Sequence, residues 1–230
     1  MKKILSSFSK VELLLWSSSV CLIVIFFCVF DRMHCLSLCA SLIGVTSLIF
    51  IAKGNPIGQG LTIVFALLYG AISFSFSYYG EMITYLGMTA PMAVLSLVSW
   101  LKNPYGGNKS QVKINDRISK WEIICLIFFT CVTTVLFYFI LSLLKTANIH
   151  LSTISVATSF IAVYLTFYRS PFYALAYALN DIVLIVLWTM AMFSDITYLS
   201  VVICFAVFLV NDIYGFISWR KMAVKQSKGD

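Results

Sequence analysis

Charge is scarce in this chain. Asp, Glu, Lys and Arg make up 11% of its 230 residues, whereas 61% are hydrophobic. A soluble domain carries roughly a quarter charged residues, so the shortage excludes a soluble globular fold. No hydrophilic block is long enough to fold separately, and the whole of 1–230 is read as one membrane domain. Histidine occurs only at His34 and His150. Without Cys and His at metal-ligand spacing, no metal site and no cofactor are expected. No Gly-x-Ser-x-Gly elbow and no Walker sequence occur, which leaves a hydrolase or an ATP-driven pump without its usual sign. Acidic residues are scarcer than basic ones, nine against sixteen, for a net charge of +7. In a chain this apolar, that excess reflects topology and contact with anionic lipid; nucleic-acid binding is not implied.

What is abundant is long apolar runs. Reading for about 20 consecutive apolar residues predicts eight spans, at 11–30, 36–52, 57–78, 82–101, 122–144, 149–168, 171–193 and 197–219. The first has no A-x-A-like cleavage site after it, so it is read as a span and not as a signal peptide. With eight spans, fourteen of the sixteen Lys and Arg fall on the side of the termini, including Lys2, Lys3, Lys53, Lys109, Arg169 and Lys228; only Arg32 and Lys145 fall opposite. The positive-inside rule then puts both termini and the loop 102–121 in the cytoplasm. His34, His150 and Glu81 are expected in solvated outer turns, with Cys35 and Cys39 near that face. Cys21, Cys28, Cys125, Cys131 and Cys204 are expected as small packing residues.

An internal repeat organises the runs. "AKGNP" (52–56) opens the third span and "YRSP" (168–171) opens the seventh; "SWLK" (99–102) closes the fourth and "SWRK" (218–221) closes the eighth. Residues 36–102 and 149–221 thus read as two three-helix units. The helix 122–144 joins them so that both run parallel, and 11–30 is an extra helix. The expected fold is all-α, a polytopic membrane protein with one extra helix plus a 3+1+3 parallel repeat. Transporters built from such repeats hold their site between the halves.

Polar residues inside the spans are the candidate site. "NDIVLIVLW" (180–188) and "NDIYGFISW" (211–219) each set an amide beside a carboxylate in an apolar stretch. A charge in hydrocarbon costs several kcal/mol unless it faces a cavity or a partner. Asn180 lies nine residues past Pro171, hence about 14 Å deep and near the midplane. Asp181, Tyr177, Tyr173 and Trp188 share its neighbourhood, offering rings for stacking and polar groups for hydrogen bonds. A helix–helix hydrogen bond is the other use of such a pair. Counted from the outer end, Asn211 lies about 21 Å down the last span, towards the cytoplasm. There Asn211 would serve the inner half of a pathway, Asp212 an ion pair or gate or a merely interfacial group, and Trp219 an interfacial anchor. In the first half, Tyr69, Ser73, Ser75 and Ser77 decorate the third span, while Tyr85 and Thr89 lie i,i+4 in the fourth. Pro91 frees a carbonyl mid-span and reads as a hinge or as a packing kink. These features favour a transporter over an intramembrane enzyme, whose only paired acids would be Asp181 and Asp212. They also favour it over an assembly protein, which needs no midplane carboxylate.

The stretches "LYGAISFSFSYYGEMITYLGMTAPMAVLSLVSWLK" (68–102) and "VFLVNDIYGFISWRK" (207–221) resemble the PnuC family of bacterial vitamin and nucleoside transporters. Tyr69, the Gly80-Glu81-Met82 turn, Pro91, Trp100, Gly215 and Trp219 carry the likeness, scattered over most of 36–221. The resemblance implies a SWEET-like fold, a homotrimer in the bacterial inner membrane, and no enzymatic activity. It also implies facilitated diffusion of nicotinamide riboside or a related compound, trapped by later phosphorylation. Relatives carry deoxynucleosides, thiamine or riboflavin. Members that carry nicotinamide riboside have a Trp-x-x-Trp pair where this chain has Ala174 and Tyr177, beside Tyr173.

Overall fold

A computed structural model describes residues 8–32, 34–75, 79–146 and 148–229; Lys2, Lys3 and Ser77 lie outside them. Among the described residues are eight helices long and apolar enough to cross a membrane. They are α1 (Lys10–Phe30), α2 (Cys35–Ala52), α3 (Ile57–Ser75), α4 (Tyr79–Lys102), α5 (Lys120–Leu143), α6 (Ile149–Phe167), α7 (Tyr173–Met192) and α8 (Leu199–Gly229). α8 runs on well past the predicted end at 219. The loop after α4 holds a small antiparallel hairpin, β1 (Pro104–Tyr105) and β2 (Asn108–Val112), turned by Gly106 and Gly107 at positive φ.

The start of α1 and the end of α8 lie on one face of the bundle. Glu12, at the start of α1, pairs with Lys53 Nζ at 3.2 Å, and Gln226 in the last turns of α8 accepts from the Ile114 backbone at 2.8 Å. The loops 53–56, 103–118 and 168–172 share this terminal face.

The helices meet reciprocally across the two halves. α8 packs on α2, and α4 packs on α6. At the terminal face Ser218 Oγ donates to Ala52 O at 2.7 Å and Trp219 Nε1 to Ile51 O at 2.7 Å. Their counterparts do the same in reverse: Ser99 Oγ donates to Phe167 O at 2.9 Å and Trp100 Nε1 to Thr166 O at 3.0 Å. The two indoles are fully buried and touch, with ring centroids 5.3 Å apart. Each accepting helix ends alike. Gly54 (φ 66°) and Arg169 (φ 59°) take the left-handed conformation that closes a helix C-terminus. Arg169 does so despite its Cβ, a conformation a non-glycine residue adopts only when its surroundings hold it. The end of β2 and the loop after it grip both ends, through Val112 N to Gly54 O (2.9 Å) and Asn115 N to Arg169 O (3.0 Å).

Trp219 is therefore a buried cross-brace rather than an interfacial anchor. The two single helices also match. "SKVE" (9–12) and "SKWE" (119–122) both form capping boxes, in which Ser Oγ accepts from the Glu N–H and the Glu carboxylate accepts from the Ser N–H. α1 packs on α2 and α8; α5 packs on α6 and on the first turns of α4. The helix expected as a linker thus begins and packs as the extra helix does, a likeness readable from the two four-residue strings. Of the five cysteines expected to pack, Cys204 is buried and Cys125 half-buried, whereas Cys21, Cys28 and Cys131 are exposed on the single chain; Cys35 and Cys39 are exposed as well.

Candidate functional site

Three cavities run from the face opposite the termini towards the centre of the bundle. The outer one is lined by Asp31, His34, Tyr69, Trp188, Asp195 and Phe205, among others. A side cavity shares Trp188 and Asp195 with it and adds Glu81, Asn148 and Ser152. The central one is lined by Phe65, Tyr85, Tyr177, Asn180, Asp181 and Asp212, with Tyr173, Phe205 and Phe208. Phe65, Phe205 and Phe208 face both the outer and the central cavity. With Tyr69 and Tyr85, whose rings lie 4.5 Å apart, they form an aromatic partition between the two. Below the central cavity, Tyr173 packs on Trp219 with centroids 4.7 Å apart, and the Trp100–Trp219 pair closes the terminal side.

The two Asn-Asp pairs lie at one depth, contrary to the expectation from counting. From the Tyr173–Trp219 contact, Asp181 is about 12 Å up α7 and Asp212 about 10 Å up α8. The two carboxyls come within hydrogen-bonding reach of each other, and both are buried. The expectation failed because Asn211 was counted from the outer end of a run taken to stop at 219, whereas the helix runs on to Gly229. Asp212 is accordingly neither interfacial nor, among the described residues, paired with a cation. Asp181 Oδ2 has no hydrogen-bond partner. Two adjoining carboxyls in a low-dielectric site cannot both ionise without a third charge.

The amides differ in use. Asn180 Oδ1 accepts from Ser155 Oγ (3.2 Å), Thr158 Oγ1 (2.9 Å) and Ser159 Oγ (3.0 Å) of α6. This leaves its amino group as the part that can serve a ligand. Sequence reasoning missed those hydroxyls, although 155, 158 and 159 share a helix face. Asn211 is turned away from the cavity, donating to Ser19 Oγ of α1 at 3.1 Å and to Val207 O at 2.8 Å; it does not line the pathway.

Other predicted residues divide between the cavities. Tyr85, Tyr173 and Tyr177 line the central one; Tyr69 lines the outer one. Trp188 lies eleven residues past Tyr177 and faces the outer cavities, packed on Tyr198 at 5.4 Å, so it and Tyr177 do not flank one ring. Glu81 is buried at the side cavity, not solvated in a turn. Pro91 follows a π-helical turn, Tyr85–Thr89, in which Ala90 N bonds Tyr85 O. Such turns accommodate a missing N–H and recur at functional sites, and this one sets Tyr85 and Thr89 into the central cavity. At the mouth, Asp195 Oδ1 accepts from Thr197 N at 2.9 Å, and that N–H holds its carboxyl below the usual carboxylate range. Asp31 contacts the His34 ring. No group of three or more His, Cys, Asp and Glu positioned for a metal occurs among the described residues.

Eight spanning helices, reciprocal halves and a polar, aromatic cavity reached from one face define a small-molecule transporter of the membrane. The chain belongs to the nicotinamide mononucleotide transporter family, whose profile matches residues 34–221. It is 25% identical over 204 residues to the nicotinamide riboside transporter PnuC of Neisseria mucosa, covering 86% of this chain and 77% of that protein. Its fold matches the crystal structure of the vitamin B3 transporter PnuC with a TM-score of 0.82 at 23% identity, over 96% of this chain and 94% of that one.

Proposed function

We propose that this protein carries nicotinamide riboside, or a closely related nucleoside or vitamin, into the bacterial cytoplasm by facilitated diffusion. Later phosphorylation traps the cargo. The observation that carries the reading is the central cavity, where aromatic rings and the free edge of Asn180 meet two carboxyls at mid-membrane depth. Tyr177, with Tyr173 below it and Tyr85 opposite, supplies the ring contacts, and Asn180 supplies a hydrogen bond. The route enters past Asp195 and Trp188 and crosses the aromatic partition, with Tyr69 on its outer side. The bend at Pro91 serves as the hinge that moves Tyr85, and the Trp100–Trp219 brace closes the inner side. The face of the termini is cytoplasmic. α5, the least buried helix, presents its apolar surface to lipid and to neighbouring copies in a homotrimer.

Proteoliposomes given radiolabelled nicotinamide riboside, with no ion gradient, test this. Uptake should rise to equal concentrations inside and out, then stop. A strict requirement for a proton or sodium gradient overturns the passive mechanism, and failure of the compound to enter overturns the cargo assignment. The same assay with thiamine, riboflavin and deoxynucleosides ranks the related cargoes.

A further inference from the structure

The pathway has a sign. Five of the nine acidic residues in the chain, Asp31, Glu81, Asp181, Asp195 and Asp212, line the three cavities, and none of the fourteen Lys and Arg among the described residues does. Among the described residues, the one other lining group that can become cationic is His34, already set against Asp31. At the deep end the Asp181 and Asp212 carboxyls adjoin, each only 4% exposed, and Asp181 Oδ2 lacks a partner. The titratable groups acting on the pair from the elements around it are Tyr85 of α4, Tyr173 and Tyr177 of α7, and Cys204 of α8. All four are neutral when protonated, so among the described residues no protein cation offsets the pair. A buried carboxyl pair without a counter-charge holds protons in its place. The walls are aromatic faces, which attract a cation and not an anion.

We propose that the central cavity selects a cationic heteroaromatic ring, with the Asp181–Asp212 pair as its counter-ion, and that the ring displaces a proton from the pair when it binds. One O–H bond of a carboxylic acid breaks, the proton leaves to water through the outer cavity, and the carboxylate left behind balances the ring. Nothing is oxidised or reduced. The inference rests on the transport reading above for its ligand. Because the proton and the ring compete, affinity for the cation is highest where the pair has lost a proton, and it falls as pH falls.

Calorimetry on the purified full-length protein tests this with nicotinamide riboside, whose pyridinium is cationic, and its 1,4-dihydro form, which keeps the ribose and carboxamide but is neutral. Running each titration in buffers of different ionisation enthalpy counts the protons released. The parent protein should prefer the cation by about tenfold or more, release on the order of one proton with it, and release none with the neutral form. Asp181→Asn and Asp212→Asn should each erase most of that preference and the proton release. Equal affinity of the parent for both forms, or cation binding without proton release, overturns the inference whatever the variants do. If neither nicotinamide form binds, the cargo assignment fails, and thiamine and deoxyuridine then decide about the pair. Thiamine bound with proton release sustains the inference; binding of only the neutral deoxyuridine, or of nothing, overturns it.

Discussion

Asn180 serves two ends at once. Three hydroxyls of α6 donate to its Oδ1, so the residue ties α7 to α6 while its amino group remains for cargo. Asn180→Ala should therefore lower both stability and affinity. Losing the acceptor costs about 1–3 kcal/mol, and losing the cargo bond costs a similar amount, hence a roughly five- to hundred-fold weaker Kd. Thermal unfolding in detergent reads the first and calorimetry the second. Asn211→Ala is the contrast, because its amide serves Ser19 of α1: stability should fall with Kd unchanged. A fall in affinity at 211 as large as at 180 would place the cargo elsewhere. The paired amides were legible as buried and polar. Which neighbours they address was not, because "STISVATSF" (152–160) reads equally well as a helix whose hydroxyls bond their own backbone. Thr158 does both, donating also to Ile154 O and Ser155 O.

At the scale of elements, Trp100 near the end of α4 and Trp219 within α8 carry the contact between the halves. Trp219→Phe keeps most of the ring packing and removes the indole N–H. Ile51 O retains Gly54 N as a second partner at 2.8 Å, so the net loss is that of one hydrogen bond, about 0.5–1.5 kcal/mol. Trp100→Phe should cost about the same, since Thr166 O likewise keeps Arg169 N. Because the rings touch, the loss in the double variant should differ from the sum of the singles. Unfolding temperatures of the four proteins supply the cycle; strict additivity would mean the indoles act separately. The strings "SWLK" and "SWRK" marked these positions in the sequence, yet a Trp beside Arg and Lys at the end of an apolar run has the signature of an interfacial anchor. Burial alone separates the two, and burial follows from the helix of the other half.

For the whole molecule, the apolar runs and the uneven Lys and Arg were enough to predict eight crossings, because hydrocarbon requires the backbone to satisfy its own hydrogen bonds. Depth was harder, since it needs a reference plane that no single helix provides; the contact of Tyr173 with Trp219 supplies one. The orientation is checked by single thiols. In a background cleared of native cysteines, Lys109→Cys and Lys228→Cys, one in the hairpin and one near the end of α8, should resist an impermeant maleimide in intact cells and react once the membrane is opened. Ready labelling of either in intact cells would invert the topology, and with it the direction of the acidic pathway.

The reciprocal brace carries a message about symmetry. A unit of four helices returns to the side on which it began, so a tandem copy runs parallel without any added crossing. Each such unit here buries its closing tryptophan only in the other, against the end of that unit's second helix. Alone, a half-chain would leave an indole, two carbonyls and a serine hydroxyl uncovered; as a pair of identical chains it would cover all of them by two-fold symmetry. The reciprocal contacts within this one chain are thus the contacts that a two-fold dimer of such a unit would make. In a single chain the halves need not match, and here the carboxylate pair of the central cavity is drawn wholly from the second half.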